Sequence, residues 1–172
     1  TVNDKPASME RLDKKFFQTL PAMLGERDLI KALSLTSGVT SSSEGAADMQ
    51  VRGGTHGQNL YLLNDVPLYF TQHALGLTSA YNPSLVQNAT LYKSGFPAWY
   101  GGKVSSVLAV NTIEPTLQQF SGELEIGLIS SKLLVNFPLV KDKLGAYFSG
   151  RVSNFSPFFG LVNTFSEKND TQ

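Results

Sequence analysis

Two histidines and two acidic residues are the side chains of this 172-residue sequence best suited to bind a metal ion. His56 and His73 could combine with Asp48 or Asp65, because imidazole and carboxylate groups are common ligands of zinc and similar ions. The histidines are not at the i, i+4 spacing of a helical metal-binding pair, and no dense cluster of further ligands surrounds them. We therefore interpret both histidines as polar loop residues and predict no metal site.

Nucleophilic catalysis and phosphate binding are not predicted either. Ser105-Ser106 has no G-x-S-x-G context and no plausible base nearby in the sequence. The pairs Gly53-Gly54 and Gly101-Gly102 match neither the dinucleotide-binding G-x-G-x-x-G pattern nor the lysine-ended phosphate loop. The absence of cysteine excludes disulfides and thiolate chemistry. We predict no catalytic residues, no cofactor and no enzymatic activity.

Two aromatic groups could contact an organic ligand, because aromatic rings and nearby amides make adaptable contacts with organic solutes. The first group is Tyr69, Phe70, Gln72 and His73, and the second is Phe96, Trp99 and Tyr100. Packing in a core is the competing interpretation, because it is the usual role of aromatic residues. We place substrate binding at the first group, since the adjoining Gly101-Gly102 favours close packing of the second against another surface.

The charge of the chain is balanced and unevenly spread. Fourteen basic residues offset 14 acidic residues, so there is no basic face to predict a nucleic-acid partner. Residues 32–92 contain only four charged side chains: Glu44, Asp48, Arg52 and Asp65. This segment is rich in Asn, Gln, Ser, Thr and Tyr, which suits a domain enclosed by a polar wall better than one surrounded by water. A barrel lumen is such a wall.

The sequence predicts short helices and strands as the elements that position these candidate residues. We predict a helix over residues 26–35, because Leu29 and Leu33 lie four residues apart, and we expect Gly38 to end it. Asn64-Asp65 predicts a tight reversal between two short strands. Further strands are predicted at residues 49–52, 89–93 and 104–112. Residues 73–80 are predicted to form a helical turn or a loop. Residues 1–19 are predicted to be a lead-in to the domain, either a short strand or a segment with frayed secondary structure.

Beyond residue 115 the pattern changes to regular alternation of apolar and polar residues. Strands are predicted at 123–129, 133–139 and 144–152, with a turn at 141–143. Their length and period fit transmembrane barrel strands. An antiparallel sheet covering a soluble core shows the same alternation and is the competing interpretation. Three strands cannot close a barrel, so we expect the chain to hold only the beginning of one.

Five motifs, in their order and separations, resemble the plug domain of TonB-dependent outer-membrane receptors. They are Leu24-Gly25-Glu26-Arg27-Asp28-Leu29, Ser37-Gly38-Val39, Val51-Arg52-Gly53-Gly54, Leu63-Asn64-Asp65-Val66-Pro67 and Tyr100-Gly101-Gly102-Lys103-Val104-Ser105-Ser106-Val107. The resemblance covers residues 20–112. The last motif and residues 127–131 look like receptors of the Bacteroidetes type. Asn64-Asp65 departs from the Asp-Gly of many members, and residues 1–19 contain no recognisable energy-coupling box.

The resemblance implies an α+β fold, with a small mixed-sheet plug domain and short helices (1–115, lead-in 1–19), followed by the first antiparallel strands of a transmembrane β-barrel (116–172). It implies a location in the outer membrane of a Gram-negative bacterium, with the plug in the barrel lumen. Its partners would be a TonB-type energy-transducing complex, its own barrel and an external nutrient: a siderophore, cobalamin, oligosaccharide or peptide.

In this family, the positions of Arg52, Gly53, Gly54, Gly101 and Gly102 are expected to contact the barrel. A buried arginine there would need charged or amide partners. A soluble periplasmic module that regulates a partner without transport is the alternative function.

Overall fold

The computed structural model describes residues 8–19, 27–43, 45–73, 76–127 and 130–153. These residues form two compact units. Unit 1 lies within Thr1–Met23 and Arg27–Glu114, and unit 2 includes Pro115–Gln172. Among the described residues, no helix is long and apolar enough to cross a membrane.

Unit 1 contains short helices and short strands within its described residues. The helices are α1 (Lys14–Thr19) and α2 (Leu29–Leu33). The strands are β1 (Met9–Asp13), β2 (Val39–Thr40), β3 (Gln50–Val51), β4 (Asn59–Leu63), β5 (Val66–Pro67), β6 (Gln72–His73), β7 (Thr78–Ser79), β8 (Val86–Tyr92) and β9 (Ser106–Thr112). Single turns of 3-10 helix lie at His56–Gln58 and Pro83–Leu85. The predicted α+β class is confirmed.

A five-stranded sheet with the order β1-β8-β9-β4-β5 organises unit 1. β4 and β9 run parallel, and the other neighbouring pairs are antiparallel. β9 is buried on both faces: Leu108 and Val110 join the main core with helix α2, while Val107 and Ala109 join a second cluster. Burial on both faces explains why this strand reads as a continuous apolar run and does not alternate.

The predicted reversal after β4 is confirmed. β4 and β5 pair as an antiparallel hairpin through Leu62↔Pro67 and Leu63↔Val66. Asn64 and Asp65 form its turn with φ values of 48° and 64°. Asn and Asp tolerate this left-handed conformation better than other side chains, because their short polar groups bond locally. The pair can therefore make the turn without a glycine.

The predicted helix is shorter than expected. Helix α2 begins after Asp28, whose carboxylate caps it, and ends at Ser34. The hydroxyls of Ser34 and Thr36 donate to the Ile30 and Leu33 carbonyls, at 3.1 and 2.8 Å, in the last turn. The same two carbonyls accept the backbone N–H groups of Ser34 and Thr36, at 3.0 and 2.9 Å, and hydroxyl groups that bond a nearby carbonyl in this way compete with the backbone bonds of a longer helix. The prediction that Gly38 caps the helix is wrong, because Gly38 (φ 75°) lies in the turn before β2.

The segment predicted as a helical turn or loop at 73–80 contains part of a hairpin. β6 and β7 pair through Gln72↔Ser79 and His73↔Thr78. Residues 74 and 75 lie outside the described part of the chain. Two paired residues per strand are too few for a visible alternation, so the sequence pattern did not indicate them.

The predicted lead-in includes a strand that belongs to the main sheet. β1 pairs with β8 along its whole length, from Met9↔Tyr92 to Asp13↔Asn88. Leu12 and, from α1, Phe17 enter the main core. Lys93, at the end of β8, is buried and donates to the Ser37 carbonyl at 2.8 Å. The strand is therefore an integral edge of unit 1.

Unit 2 contains a three-stranded antiparallel sheet in the described residues. Its strands are β10 (Ser121–Ile126), β11 (Ser130–Val140) and β12 (Leu144–Ser153), in that order. Asp142, with φ 59°, turns the chain between β11 and β12. The predicted strands and turn are confirmed here, whereas residues 128 and 129 of the first predicted strand lie outside the described part.

The register gives the sheet of unit 2 one apolar face and one polar face. The apolar face consists of Leu124, Ile126, Leu133, Val135, Phe137, Ala146, Phe148 and Val152. The polar face includes Glu123, Glu125, Lys132, Asn136, Tyr147, Ser149 and Arg151, together with one buried apolar residue, Leu134. Ile126 is 77% and Phe148 61% exposed, whereas Lys132 is only 3% exposed. The sheet thus exposes its apolar side chains and buries polar ones from its central strand.

Candidate functional site

The first aromatic group lies on the surface of unit 1, between β5 and the β6–β7 hairpin. Tyr69 is 84% exposed and Phe70 88% exposed, and His73 is also exposed. Gln72 is half-buried on β6. We refer to residues 68–73 as the aromatic segment. Large rings left in water at adjacent positions are unusual for a packing role, and they are accessible to an external molecule.

The second aromatic group packs against unit 1 except at Trp99. Phe96 and Tyr100 cover the smaller hydrophobic cluster, as the packing interpretation requires. The Tyr100 ring also lies 5.9 Å from the Trp99 ring, which is largely exposed. Gly102 has φ 81°, and a Cβ added at Gly101 or Gly102 would meet no described atom within 4 Å. A contact of these glycines with a barrel stays a prediction.

The Arg-Gly-Gly motif forms a sharp bend before β4. Arg52 and Gly53 have φ values of 49° and 82°. Arg52 is exposed, not buried, and its Nη1 donates to Ser94 Oγ at 2.7 Å within unit 1. Its contact with a barrel stays a prediction.

Gly54 has a different role from its neighbours, because it allows two segments to approach closely. A Cβ at Gly54 would overlap Ser105, lying 2.7 Å from its Cβ, and would be 3.1 Å from the Val51 carbonyl oxygen. Ser105 Oγ donates to that same carbonyl at 3.1 Å. The first glycine motif and the Ser105-Ser106 segment are therefore in direct contact inside unit 1.

A chain of polar side chains connects the aromatic segment with the main sheet. His56 Nδ1 lies 3.0 Å from the Tyr61 hydroxyl, and its Nε2 lies 3.3 Å from Thr71 Oγ1. Asn59 bonds the Tyr61 hydroxyl at 3.3 Å and accepts from Ser106 Oγ at 2.8 Å. His56 is thus more than the polar loop residue that the sequence indicated, because both ring nitrogens bond residues of other elements.

Within the described ranges, no group of three or more His, Asp or Glu side chains is arranged to hold a metal ion. His56 and Asp48 belong instead to hydrogen-bond networks of unit 1. Burial raises the pKa of Tyr61 to about 12, and the negative charge of Asp48 adds to that effect. The Tyr61 hydroxyl therefore stays protonated and available as a hydrogen-bond donor.

Asp48 is a buried carboxylate that organises the loop before β3. Its Oδ1 accepts from Ser41 Oγ at 2.8 Å and from the Ser42 backbone N–H at 2.9 Å. Burial by itself would raise the pKa of Asp48, but the hydrogen bonds from Ser42 and Ser41 and the interaction with His56 outweigh it. The net result is a pKa below 3.8.

This shift predicts a loss of stability in acid. Because the folded-state pKa of Asp48 is below its unfolded value of 3.8, its contribution is present above that value and is lost as the pH falls through the folded pKa. We expect Asp48→Asn to have a flatter dependence of the free energy of unfolding on pH below about pH 4. Urea unfolding at a series of pH values measures this, and parallel curves for both proteins would contradict it.

Sequence reasoning did not identify Asp28 as a residue that connects distant segments. The Asp28 carboxylate is buried and bonds Ser79, 51 positions away, as well as the first turn of α2. No local pattern could indicate such a partner. The same applies to Asn59, whose partner Ser106 lies 47 positions away on β9.

A small mixed sheet with two short helices, followed by antiparallel strands, is the fold of a receptor plug domain joined to further β structure. The chain belongs to the TonB-dependent receptor plug domain family, whose sequence model matches residues 1–107. This membership confirms the predicted family and the outer-membrane location, with the plug inside a barrel. The resemblance to receptors of the Bacteroidetes type stays a prediction.

Solved structures share the fold at low sequence identity. The chain is similar to the siderophore receptor PirA from Acinetobacter baumannii (17% identity, TM-score 0.61, covering 86% of this chain and 24% of that one). It is also similar to the siderophore receptor PirA from Pseudomonas aeruginosa (16% identity, TM-score 0.59, covering 86% of this chain and 29% of that one). A third similar structure is the outer membrane transporter YddB from Escherichia coli (15% identity, TM-score 0.58, covering 84% of this chain and 26% of that one). The chain therefore spans under a third of these proteins. No curated protein matches it in sequence.

Proposed function

We propose that this chain is the plug, with the first barrel strands, of a receptor that gates energy-coupled uptake of a scarce nutrient across the outer membrane. In this proposal residues 1–115 form the plug and residues 116–172 begin the barrel. The transported molecule is bound without covalent chemistry. Release of the plug by a TonB-type energy-transducing complex opens the path.

The observation that carries the proposal is the orientation of the sheet in unit 2. A soluble sheet turns its apolar face toward a core and its polar face toward water. The central strand β11 does the opposite, since it buries Lys132 and Asn136 together with Leu134, whereas Ile126 and Phe148, on the other face of the sheet, are exposed. Apolar residues outside and polar residues inside are the arrangement of a membrane barrel wall. The alternative function, a soluble periplasmic module, does not account for the exposed apolar face of this sheet.

The ligand contact is proposed at the aromatic segment, through Tyr69, Phe70, Gln72 and His73. Two exposed rings with a neighbouring amide and imidazole can stack on a flat organic surface and donate hydrogen bonds to it. Residues 66–73 contain no lysine or arginine, so they offer no fixed charge for an anion. This favours a ligand with an aromatic or neutral polar surface among the siderophores, cobalamin, oligosaccharides and peptides.

The glycine motifs are proposed to seat the plug in its barrel. Arg52 and Gly53 form an exposed bend, and Gly101 and Gly102 form a second stretch with open space where a Cβ would lie. Such sites allow a barrel wall to approach the backbone closely. Gly54 contributes differently, by fixing the bend against Ser105.

We expect the double variant Tyr69→Ala/Phe70→Ala to lower the affinity of the full-length receptor for its nutrient by about tenfold or more, the range for losing two aromatic contacts. The measurement is uptake by a strain lacking the gene and complemented with each variant. The probes are labelled ferric siderophores, cobalamin, oligosaccharides and peptides. Leu35→Ala, at another exposed apolar residue of unit 1, is the matched control.

Two outcomes would contradict this function. Uptake of every probe could be independent of the gene, which would remove the transport role. Alternatively, the gene could lack the several hundred further residues of alternating strands that a barrel needs, which would favour the soluble module. Normal uptake by the double variant would remove only the assignment of the ligand contact.

A further inference from the structure

The chain passes from unit 1 to unit 2 through a short segment after strand β9. Ile113, directly after β9, is still fixed in unit 1, because its N–H donates to the Leu85 carbonyl at 2.8 Å. Thr116 is already fixed in unit 2, because its N–H donates to Asn136 Oδ1 at 2.8 Å. Residues 114 and 115 are therefore the whole of the chain between these two fixed points.

Two residues of unit 2 receive this segment on the polar face of the sheet. Asn136, on β11, is 8% exposed and supplies the acceptor for the Thr116 N–H. Gly145, on β12, lies opposite Pro138, so a side chain there would project from the same face as Asn136. A Cβ at Gly145 would overlap the Thr116 carbonyl oxygen and lie 3.0 Å from the Pro115 Cβ. An amide acceptor and a bare backbone position thus contact one segment.

The turn between β11 and β12 holds the next residue of the segment. The Asp142 N–H donates to the Leu117 carbonyl at 3.0 Å. Two successive residues are therefore hydrogen-bonded to two different parts of the hairpin, the strand β11 and the turn. A single bond would let the segment swing about one point, whereas bonds at successive residues fix both its position and its direction. We refer to Asn136, Asp142 and Gly145 as the anchor site.

Residues 114 and 115 provide little slack between the two fixed points. Pro115 has a fixed φ, and the residue before a proline, here Glu114, is held in an extended conformation. An extended chain spans about 3.3–3.6 Å per residue, so the Cα atoms of Ile113 and Thr116 can be at most about 10–11 Å apart. Without the anchor site, the free segment would reach the start of β10 at Ser121 and could span about 26–29 Å.

We infer that the anchor site makes residues 114–115 a short tether, which keeps the end of β9 beside the β11–β12 hairpin when the plug is released. The inference rests on the proposed function, which assigns residues 1–115 to the plug and unit 2 to the barrel wall. Asn136 and Gly145 are positioning residues, because they act through the segment that they hold. Release that leaves the anchor site intact must open the nutrient path elsewhere than at the end of β9.

Hydrogen–deuterium exchange of the purified full-length receptor tests the anchor site. We expect Asn136→Leu to raise the exchange rate of the Thr116 amide about three- to tenfold, the range for losing one hydrogen bond between neutral groups. Peptides spanning residues 113–120 report this rate, and peptides from β9 should be unchanged. Asn136→Asp, which keeps an oxygen acceptor at the same place, should retain the slow exchange.

Gly145→Ala tests the same site by steric displacement. The added methyl would occupy the position of the Thr116 carbonyl oxygen, so we expect the Thr116 amide to exchange faster here as well. Gly150→Ala is the matched control on the same strand, because a Cβ there would lie 3.8 Å from its nearest described atom, an ordinary contact. The fraction of each variant that migrates as a folded barrel is measured first, which separates a loosened segment from a loss of the barrel.

Two insertions of the sequence Gly-Ser-Gly-Ser test the tether in cells. Placed between Glu114 and Pro115, the insertion precedes the anchor site and lengthens the tether by up to about 13–14 Å. Placed between Gln119 and Phe120, it follows the anchor site and leaves the tether unchanged. The measurement is the sensitivity of the complemented strain to a large antibiotic that the closed receptor excludes. We expect only the first insertion to raise this sensitivity, and both to raise it equally in the Asn136→Leu receptor.

Equal effects of the two insertions in the otherwise unaltered receptor would overturn the tether, and so would unchanged sensitivity with the first insertion. Unchanged exchange at Thr116 in both Asn136→Leu and Gly145→Ala would overturn the anchor site. Exchange requires neither nutrient nor energy, so this result is separate from the uptake measurement. Uptake of every probe independently of the gene would remove the transport role and leave the anchor site in place.

Discussion

Phe148→Arg is expected to reduce sharply the amount of folded receptor in the outer membrane. Phe148 lies on the apolar face of unit 2, opposite Val135 on β11, and is 61% exposed. If this face meets lipid, an arginine there costs about 2–4 kcal/mol near the middle of the bilayer and about 0–1 kcal/mol near its surface. Ile126→Arg samples a second position on the same face. The measurement is the fraction of full-length receptor that migrates as a folded barrel from purified outer membranes.

Leu35→Arg is the control for this substitution. Leu35 is 74% exposed in unit 1, so the exchange is again from an exposed apolar residue to a charged one. We expect normal insertion, because the lumen that would surround the plug is polar and tolerates charge. Equal insertion of Phe148→Arg, Ile126→Arg and the unaltered receptor would show that the apolar face does not meet lipid, and the barrel assignment of residues 116–172 would fail.

Features determined by neighbouring residues were predictable from the sequence. The Asn64-Asp65 turn followed from side chains that tolerate a left-handed backbone, and it is present. The strands of unit 2 followed from alternation, which sets the face of each side chain whatever the strand packs against. Alternation does not reveal which face is turned inward, so the burial of Lys132 and the exposure of Ile126 could not be read from the sequence.

Features determined by distant residues could not be predicted. The partners of Asp28 and His56, Ser79 and Thr71, lie 51 and 15 positions away. These buried polar contacts form only once the sheet has brought the segments together.

The parallel pairing of β4 and β9 explains why the Gly53-Gly54 bend contacts Ser105 in the segment that follows Gly101-Gly102. Each motif directly precedes one of these strands, and parallel strands begin at the same edge of a sheet. The register places Asn59 opposite Ser106 at that edge. Just outside it, the Ser105 N–H donates to the Gln58 carbonyl at 3.1 Å, and Lys103 Nζ donates to the Gly57 carbonyl at 2.6 Å. Two segments about fifty positions apart in sequence are thus hydrogen-bonded to each other at one edge of the sheet.

Gly54→Ala is expected to lower the free energy of unfolding of unit 1 by about 2–3 kcal/mol, near the upper end for overpacking of a filled site. The added methyl would overlap both side-chain atoms of Ser105. Rotation of the serine moves its Oγ but not its Cβ, so the clash requires a shift of the backbone before β9. Gly57→Ala is the matched control in the same segment, because a Cβ there meets no described atom within 4 Å. Urea unfolding followed by circular dichroism measures both.

A second substitution separates steric overlap from a general intolerance of alanine at this bend. Ser105→Gly removes the two atoms that the new methyl would meet. We expect the double variant Gly54→Ala/Ser105→Gly to recover more than half of the stability lost by Gly54→Ala, although the Val51 carbonyl oxygen stays 3.1 Å from the added carbon. Since residues in contact give non-additive changes in stability, the recovery is itself the measure of the contact. Additive losses in the double variant would show that Gly54 and Ser105 do not meet.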